Sequence, residues 1–180
     1  MAKTIAEKKR NLTGTLLVLF VFGAMIAVLT RLTLGVIETS PVRDVSIPGR
    51  LAGMALTNTV TGEAALQQLA ELHGKEVSLA SGYIAHYKNR EREAIAWVGI
   101  TRTAEQARQL SEAMTRRIKQ GNHYFTNLRT EEVGDLQVYR LDGADGMAHY
   151  YYQRANKVIW IGIGGEQPEM VTREAVRVMW

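Results

Sequence analysis

Imidazole is the side chain best placed to move protons or bind a metal near neutral pH. The 180-residue chain has four histidines: His73, His86, His123 and His149. Two of them lie in a stretch that occurs twice. Ile84-Ala-His-Tyr-Lys-Asn-Arg-Glu-Arg-Glu-Ala-Ile-Ala-Trp-Val-Gly-Ile100 is matched without a gap by Met147-Ala-His-Tyr-Tyr-Tyr-Gln-Arg-Ala-Asn-Lys-Val-Ile-Trp-Ile-Gly-Ile163. Ala, His, Tyr, Trp, Gly and Ile agree in position, so His86 answers His149 and Trp97 answers Trp160.

Two chemistries follow from that pairing. If both histidines reach one groove, His86, His149, Tyr150, Trp97 and Trp160 would suit haem or a small aromatic molecule. Otherwise each histidine is a repeated structural device, hydrogen-bonded to backbone and packed on the Trp of its own hairpin. His86, Tyr87, Trp97, His149, Tyr150, Tyr152 and Trp160 are the candidates for ligand or partner contact. Alternation along a strand sends Tyr151 to the face opposite Tyr150 and Tyr152. One of those faces is then core and the other a contact surface, for which aromatic rings supply area.

Other chemistry is not legible. No histidine sits in a ligand-spaced cluster, so no metal site and no cofactor is expected. Gly162-Ile-Gly-Gly165 lacks the spacing of a P-loop or a dinucleotide-binding turn and reads as a tight strand-to-helix connection. Asp142 and Asp145 flank glycines without a calcium-loop pattern and read as turn formers. Arg108, Arg116, Arg117 and Lys119 read as solvated helix charges. No serine lies in a nucleophile elbow, and the expectation is a protein that is not an enzyme. Cysteine is absent, which excludes disulfides, thiol catalysis and cysteine-held metal clusters. The net charge of +4 is mild, and its amino-terminal cluster reads as a topology signal rather than a nucleic-acid surface.

The elements that must position these residues can be taken in order. Leu12 to Thr30 carries no charge, long enough to span a bilayer core at 1.5 Å rise per residue. Lys3, Lys8, Lys9 and Arg10 precede it, which places the amino end in the cytoplasm. Cleavage as a signal peptide is the competing reading, although no clean small-residue site is present. The expected organisation is a cytoplasmic tail (1–11), a transmembrane anchor (12–37), a linker (38–50) and an extracytoplasmic domain (51–180). The location would be a bacterial cell membrane, crossed once.

Within the domain, Leu51–Val60 reads as a strand and Thr61 as the cap of a helix ending at Gly74. Val77–Tyr87 and Ala94–Ile100 form a hairpin around the charged turn Asn89–Glu93. Thr103-Ala-Glu-Gln106 is a capping box opening a helix that ends at Gly121. Asn122–Glu132 has no clear pattern. Leu136–Leu141 is a strand, Met147–Gln153 and Lys157–Ile163 form the second hairpin, and Pro168 opens a last helix. Two hairpins each followed by a helix predict a duplicated β-β-α unit, residues 77–121 and 136–180, with Ala107 matching Val171 and Met114 matching Val178. The fold class is α+β: a two-layer sandwich of mainly antiparallel sheet and helices, ferredoxin-like in style. The expected role is that of an accessory or scaffolding subunit, tethered to the lipid bilayer and presenting an aromatic face to a membrane or envelope partner, with small-ligand or haem binding as the alternative.

Overall fold

The computed structural model describes residues 46–73, 78–121 and 123–179. The chain divides into the units Met1–Thr39 and Ser40–Trp180, and the described residues all belong to the second. The expected tail, the anchor and most of the linker lie outside the described residues. No helix among the described residues is long and apolar enough to cross a membrane.

Among the described residues the fold is α+β, with one antiparallel sheet and three helices. In order the elements are β1 (Arg50–Leu51), β2 (Met54–Thr61), α1 (Gly62–His73), β3 (Ser81–Lys88), β4 (Glu93–Ile100) and α2 (Ala104–Lys119). They continue as β5 (Phe125–Val133), β6 (Leu136–Gly143), β7 (Ala148–Arg154), β8 (Lys157–Gly164) and α3 (Pro168–Val178). The strand expected from Leu51 to Val60 is split in two. Ala52 and Gly53 both take positive φ, 48° and 81°, the two-residue geometry that folds β1 back on β2.

The eight strands stand in the order β1-β2-β3-β4-β8-β7-β6-β5, every neighbour antiparallel. Register sorts their side chains into two faces. One face carries Ile84, His86, Trp97, Trp160, His149 and Tyr151 in matched rows. Helix α1 covers part of it, with Leu69 buried against Gly82, where a Cβ would also lie 2.7 Å from the Val98 carbonyl. Helix α2 covers the rest, placing Ala107 and Met114 on Leu141, Tyr151 and Val158. The opposite face carries Tyr83, Tyr87, Tyr150, Tyr152, Ile159 and Ile161. Helix α3 closes that side with Val171, Ala175 and Val176. Each large side chain so buried contributes about 1.5–3 kcal/mol of transfer free energy.

This differs from the expected two-layer sandwich. The sheet curls as a half-barrel, and helices stand on both of its faces. The helices that aligned in sequence do not occupy equivalent places: α2 lies on the Trp97 face and α3 on the Tyr150 face. The physical reason is that a pair of strands such as β4 and β8, apolar beyond Glu93 and Lys157, must be covered on both sides.

The predicted helix signals operate locally. Thr103 Oγ1 accepts the Gln106 amide at 3.2 Å. The Gln106 side chain reaches back to the Arg102 amide at 3.1 Å, closing the box one residue earlier than the cap itself. Pro168 sits in the first turn of α3.

Candidate functional site

The two similar segments meet at the middle of the sheet. Trp97 on β4 stands opposite Trp160 on β8. The pairs on either side exchange consistently, Ala94 with Ile163 and Ile100 with Lys157. The outer strands do not follow. Trp97 faces Ile84 across the first hairpin, whereas Trp160 faces Tyr151 across the second. Had the second hairpin kept the first one's register, Met147 would face Trp160. The cause is the turn. The first hairpin closes over Asn89–Arg92, with Asn89 Oδ1 accepting the Glu91 and Arg92 amides. The second closes over Ala155 and Asn156 alone, with Ala155 at φ 50°.

That slide gives the two histidines different surroundings. His149 stands opposite Gly162 and diagonal to Trp160. The Trp160 indole, which can only donate, gives its Nε1–H to His149 Nδ1 at 3.0 Å. His149 is therefore the neutral Nε2–H tautomer. That proton points at the Asp145 carboxylate, 3.2 Å from each oxygen. Asp145 also accepts the Met147 amide at 3.0 Å, with the Tyr124 hydroxyl nearby. Burial pushes the His149 pKa down, and the pull of Asp145 upward is the smaller effect. Partial burial works to raise the Asp145 carboxyl, but the Tyr124 hydroxyl, the Met147 amide and His149 beside it hold it below its ordinary value.

The ring fits because its neighbours are glycines. A Cβ on Gly143 would lie 2.6 Å from His149 Nε2, and one on Gly162 would lie 3.0 Å from Cε1. Phe125 packs edge-on at 4.9 Å. His149 is 3% exposed, with both nitrogens engaged, so it is a positioning residue for Trp160.

His86 has none of this. It faces Ile95, lies half-buried, and burial lowers its pKa while Glu93 works the other way. Ile95 faces Gly162, which faces His149. The two histidines thus share one row of one face, three strand spacings or about 14 Å apart. With Nδ1 of His149 taken by Trp160 and Nε2 by Asp145, His149 has no nitrogen left for an ion or haem iron shared with His86. Among the described residues no group of His, Cys, Asp and Glu could hold a metal.

The remaining candidates divide by face. Tyr87, Tyr150 and Tyr152 are in the core opposite, each at 0–1% exposure, and offer no ring surface to a partner. Tyr87 donates to the Pro48 carbonyl at 3.0 Å, and burial pushes its pKa up to about 12. Arg140 lies over the Tyr150 ring at 5.6 Å.

Trp97 and Trp160 are different: both are half-buried and form the floor of a pocket of about 530 Å³. Its wall is one stripe of α2, Gln106, Gln109, Leu110, Ala113, Met114 and Arg117, at helical spacing. Phe125 closes one side, and Leu72 with Ser78 the other. The volume falls within the range of small-molecule sites. Helix α2 is fixed over the sheet by Tyr151, whose hydroxyl donates to Thr115 Oγ1 at 2.9 Å while Thr115 donates to the Ser111 carbonyl.

Sequence reasoning missed Asp145 and the outer stripe of α2. Asp145 precedes His149 by four residues, but across a turn that carries no periodicity. Arg117 and Gln109 look like ordinary solvated positions until the helix is laid over Trp97.

No protein family matches the chain, and no curated protein is similar to it. Among solved structures, the crystal structure of the extracellular domain of PknH from Mycobacterium tuberculosis is similar with a TM-score of 0.41. Identity is 13%, over 69% of this chain and 79% of that one.

Proposed function

We propose that the folded region is a non-catalytic module that binds a small ligand, held outside a bacterial membrane by the apolar segment at residues 12–37. The observation that carries this reading is the pocket over Trp97 and Trp160. It is apolar at its floor, has a few polar groups at its wall, and is built on strands and a capped helix rather than on loops. The fixed tautomer of His149 supports the non-catalytic part, since its ring nitrogens are spent on Asp145 and Trp160. Tethering would keep the module near bilayer-borne partners and raise its effective concentration there.

The test uses the full-length chain in lipid nanodiscs, titrated calorimetrically with 2-naphthol, a neutral ring, against empty discs. One site per chain is expected, abolished by Ala113→Trp, which fills the pocket. No binding, or binding indifferent to Ala113→Trp, would sink the reading. A tag at the carboxyl end should be reachable by a membrane-impermeant reagent from outside only; protection there would overturn the orientation.

The accessory-subunit role is favoured by a separate observation. Beyond Leu56 the outer edge of β2 has no partner strand among the described residues. Its exposed residues Thr57, Asn58 and Thr59 carry no charge, whereas the β5 edge is guarded by Arg129 and Glu132. A partner strand could add there. Thr59→Pro would then abolish capture of that partner and leave 2-naphthol binding intact.

A further inference from the structure

Resting on the pocket reading above, we propose that the pocket is gated by His149. A proton gained at Nδ1 breaks the bond to Trp160 and turns the indole into the cavity, so that a ligand is held at neutral pH and released in acid. Three observations on the Trp97 face carry this.

The bond exists in one protonation state only. Trp160 Nε1 can only donate, and His149 Nδ1 accepts it at 3.0 Å. Once Nδ1 carries a proton, two donors face each other and the contact becomes repulsive. The Nε2–H keeps its place on Asp145 at 3.2 Å in both states, and the carboxylate beside it favours the charged ring.

The indole is the partner with room to yield. His149 is clamped, with Gly143 and Gly162 against its ring and Phe125 edge-on at 4.9 Å. Trp160 is stacked on Tyr151 at 5.1 Å and 6° between planes, with Phe125 tilted beside it at 5.0 Å. Its remaining side is half-open to the cavity of about 530 Å³. Movement away from His149 therefore carries the indole into the space a ligand takes.

One charge governs His149. Among the described residues Asp145, on the turn between β6 and β7, is the charged group that acts on it. The run before β5 brings Tyr124, near Asp145, and the exposed His123. Strand β6 contributes Leu141 and Gly143, while Asp142 alternates to the other face and pairs with Arg129 at 3.5 Å. Strand β8 contributes Gly162 and Trp160. Further along the row Glu93 is paired with Lys88 at 3.1 Å and acts on His86. Helix α2 places Arg117 at the pocket wall. Burial lowers the His149 pKa from 6.5, and Asp145 opposes it more weakly, so the proton arrives below pH 6.5. A ligand that needs the indole in place favours the neutral ring, and by reciprocity the proton weakens the ligand. One proton limits that fall to about tenfold per pH unit.

The experiment again uses the full-length chain in nanodiscs, titrated with 2-naphthol against empty discs from pH 7.5 to 5.0, where the probe stays neutral. Affinity should be constant above pH 6.5 and about fivefold weaker at pH 5.0, the worth of one hydrogen bond. His149→Gln keeps an acceptor for the indole and gains no proton, so its affinity should be flat. Bound 2-naphthol should also delay protonation of His149 to lower pH, read from the nitrogen-15 shifts of the imidazole. If wild-type affinity is the same at both ends, or falls equally in His149→Gln, the gate is overturned while the pocket stands. A His149 titration that ignores 2-naphthol overturns it too, as does loss of the near-ultraviolet circular dichroism of the fold before any loss of affinity. If binding at pH 7.5 is absent or indifferent to Ala113→Trp, the pocket itself falls, and the gate with it. Should His149→Gln fail to fold, Trp160→Phe, which has no indole N–H, serves as the variant expected to be flat.

Discussion

His149 offers the most direct quantitative test, because its environment disfavours the proton more in the folded state than in the unfolded one. Burial lowers its folded pKa below the ordinary 6.5, and the Trp160 N–H occupies the nitrogen that would have to be protonated. Above pH 6.5 both states are neutral and the group contributes nothing to the pH dependence. As pH falls through 6.5 the unfolded chain takes up a proton that the folded one refuses. Stability is then lost with falling pH until the folded pKa is reached. One such proton can remove at most about 1.4 kcal/mol between pH 7.5 and 5.5, the limiting slope being about 1.36 kcal/mol per pH unit. His86 acts in the same direction, discounted because its half-open ring is screened by water. Carboxylates such as Asp145 and Glu169 act in a lower window, below their ordinary 3.8 and 4.5. Urea denaturation from pH 5.5 to 7.5, followed by near-ultraviolet circular dichroism, should show the loss in wild type. His149→Gln should remove most of it, being less stable at pH 7.5 but flatter below. An equal fall in His149→Gln would refute the buried, neutral histidine. So would nitrogen-15 chemical shifts that place the imidazole proton on Nδ1.

Gly143→Ala should destabilise by about 1–3 kcal/mol in the same assay, since the new Cβ displaces His149 from Asp145. Thr103→Ala removes the oxygen that caps α2 and should cost about 1 kcal/mol. Tyr152→Phe is expected to go the other way. The Tyr152 hydroxyl is buried without a hydrogen-bond partner among the described residues, so its removal should be neutral or raise stability by up to about 1 kcal/mol in urea melts.

The parts of the fold read from sequence were those carried by local rules. Thr103 and Gln106 marked the start of α2, Gly121 its end, and apolar stretches bounded by turn residues marked β3, β4, β7 and β8. The β5 strand was hidden because Asn127 takes φ 55° and shifts the pairing between Thr126 and Arg129, which breaks the alternation. The histidines were the harder case. An ungapped sequence match placed His86 and His149 in the same role, yet pairing depends on where the chain turns. Asn89 set a four-residue turn by accepting two amides, while Ala155 and Asn156 turned alone. Nothing in the identity of Ala, His and Tyr records that difference. The pocket was beyond reach for a related reason. Trp97 and Trp160 are neighbours only because β4 pairs with β8, and their cover comes from a helix that lies between them in sequence.

The strand order has a kinetic consequence. Most of the neighbouring strand pairs join segments close in sequence, so each half of the sheet can assemble through short loops. The β4–β8 seam alone among the strand pairs joins residues roughly 60 apart. Closing it is the slow, entropically expensive step expected of non-local pairing. Mutations along the seam, at Ala96 or Ile161, should therefore slow folding, while mutations at the outer strands should mainly hasten unfolding. Trp97 and Trp160 lie at the middle of that seam, so the two indoles come together only when the halves of the sheet have joined.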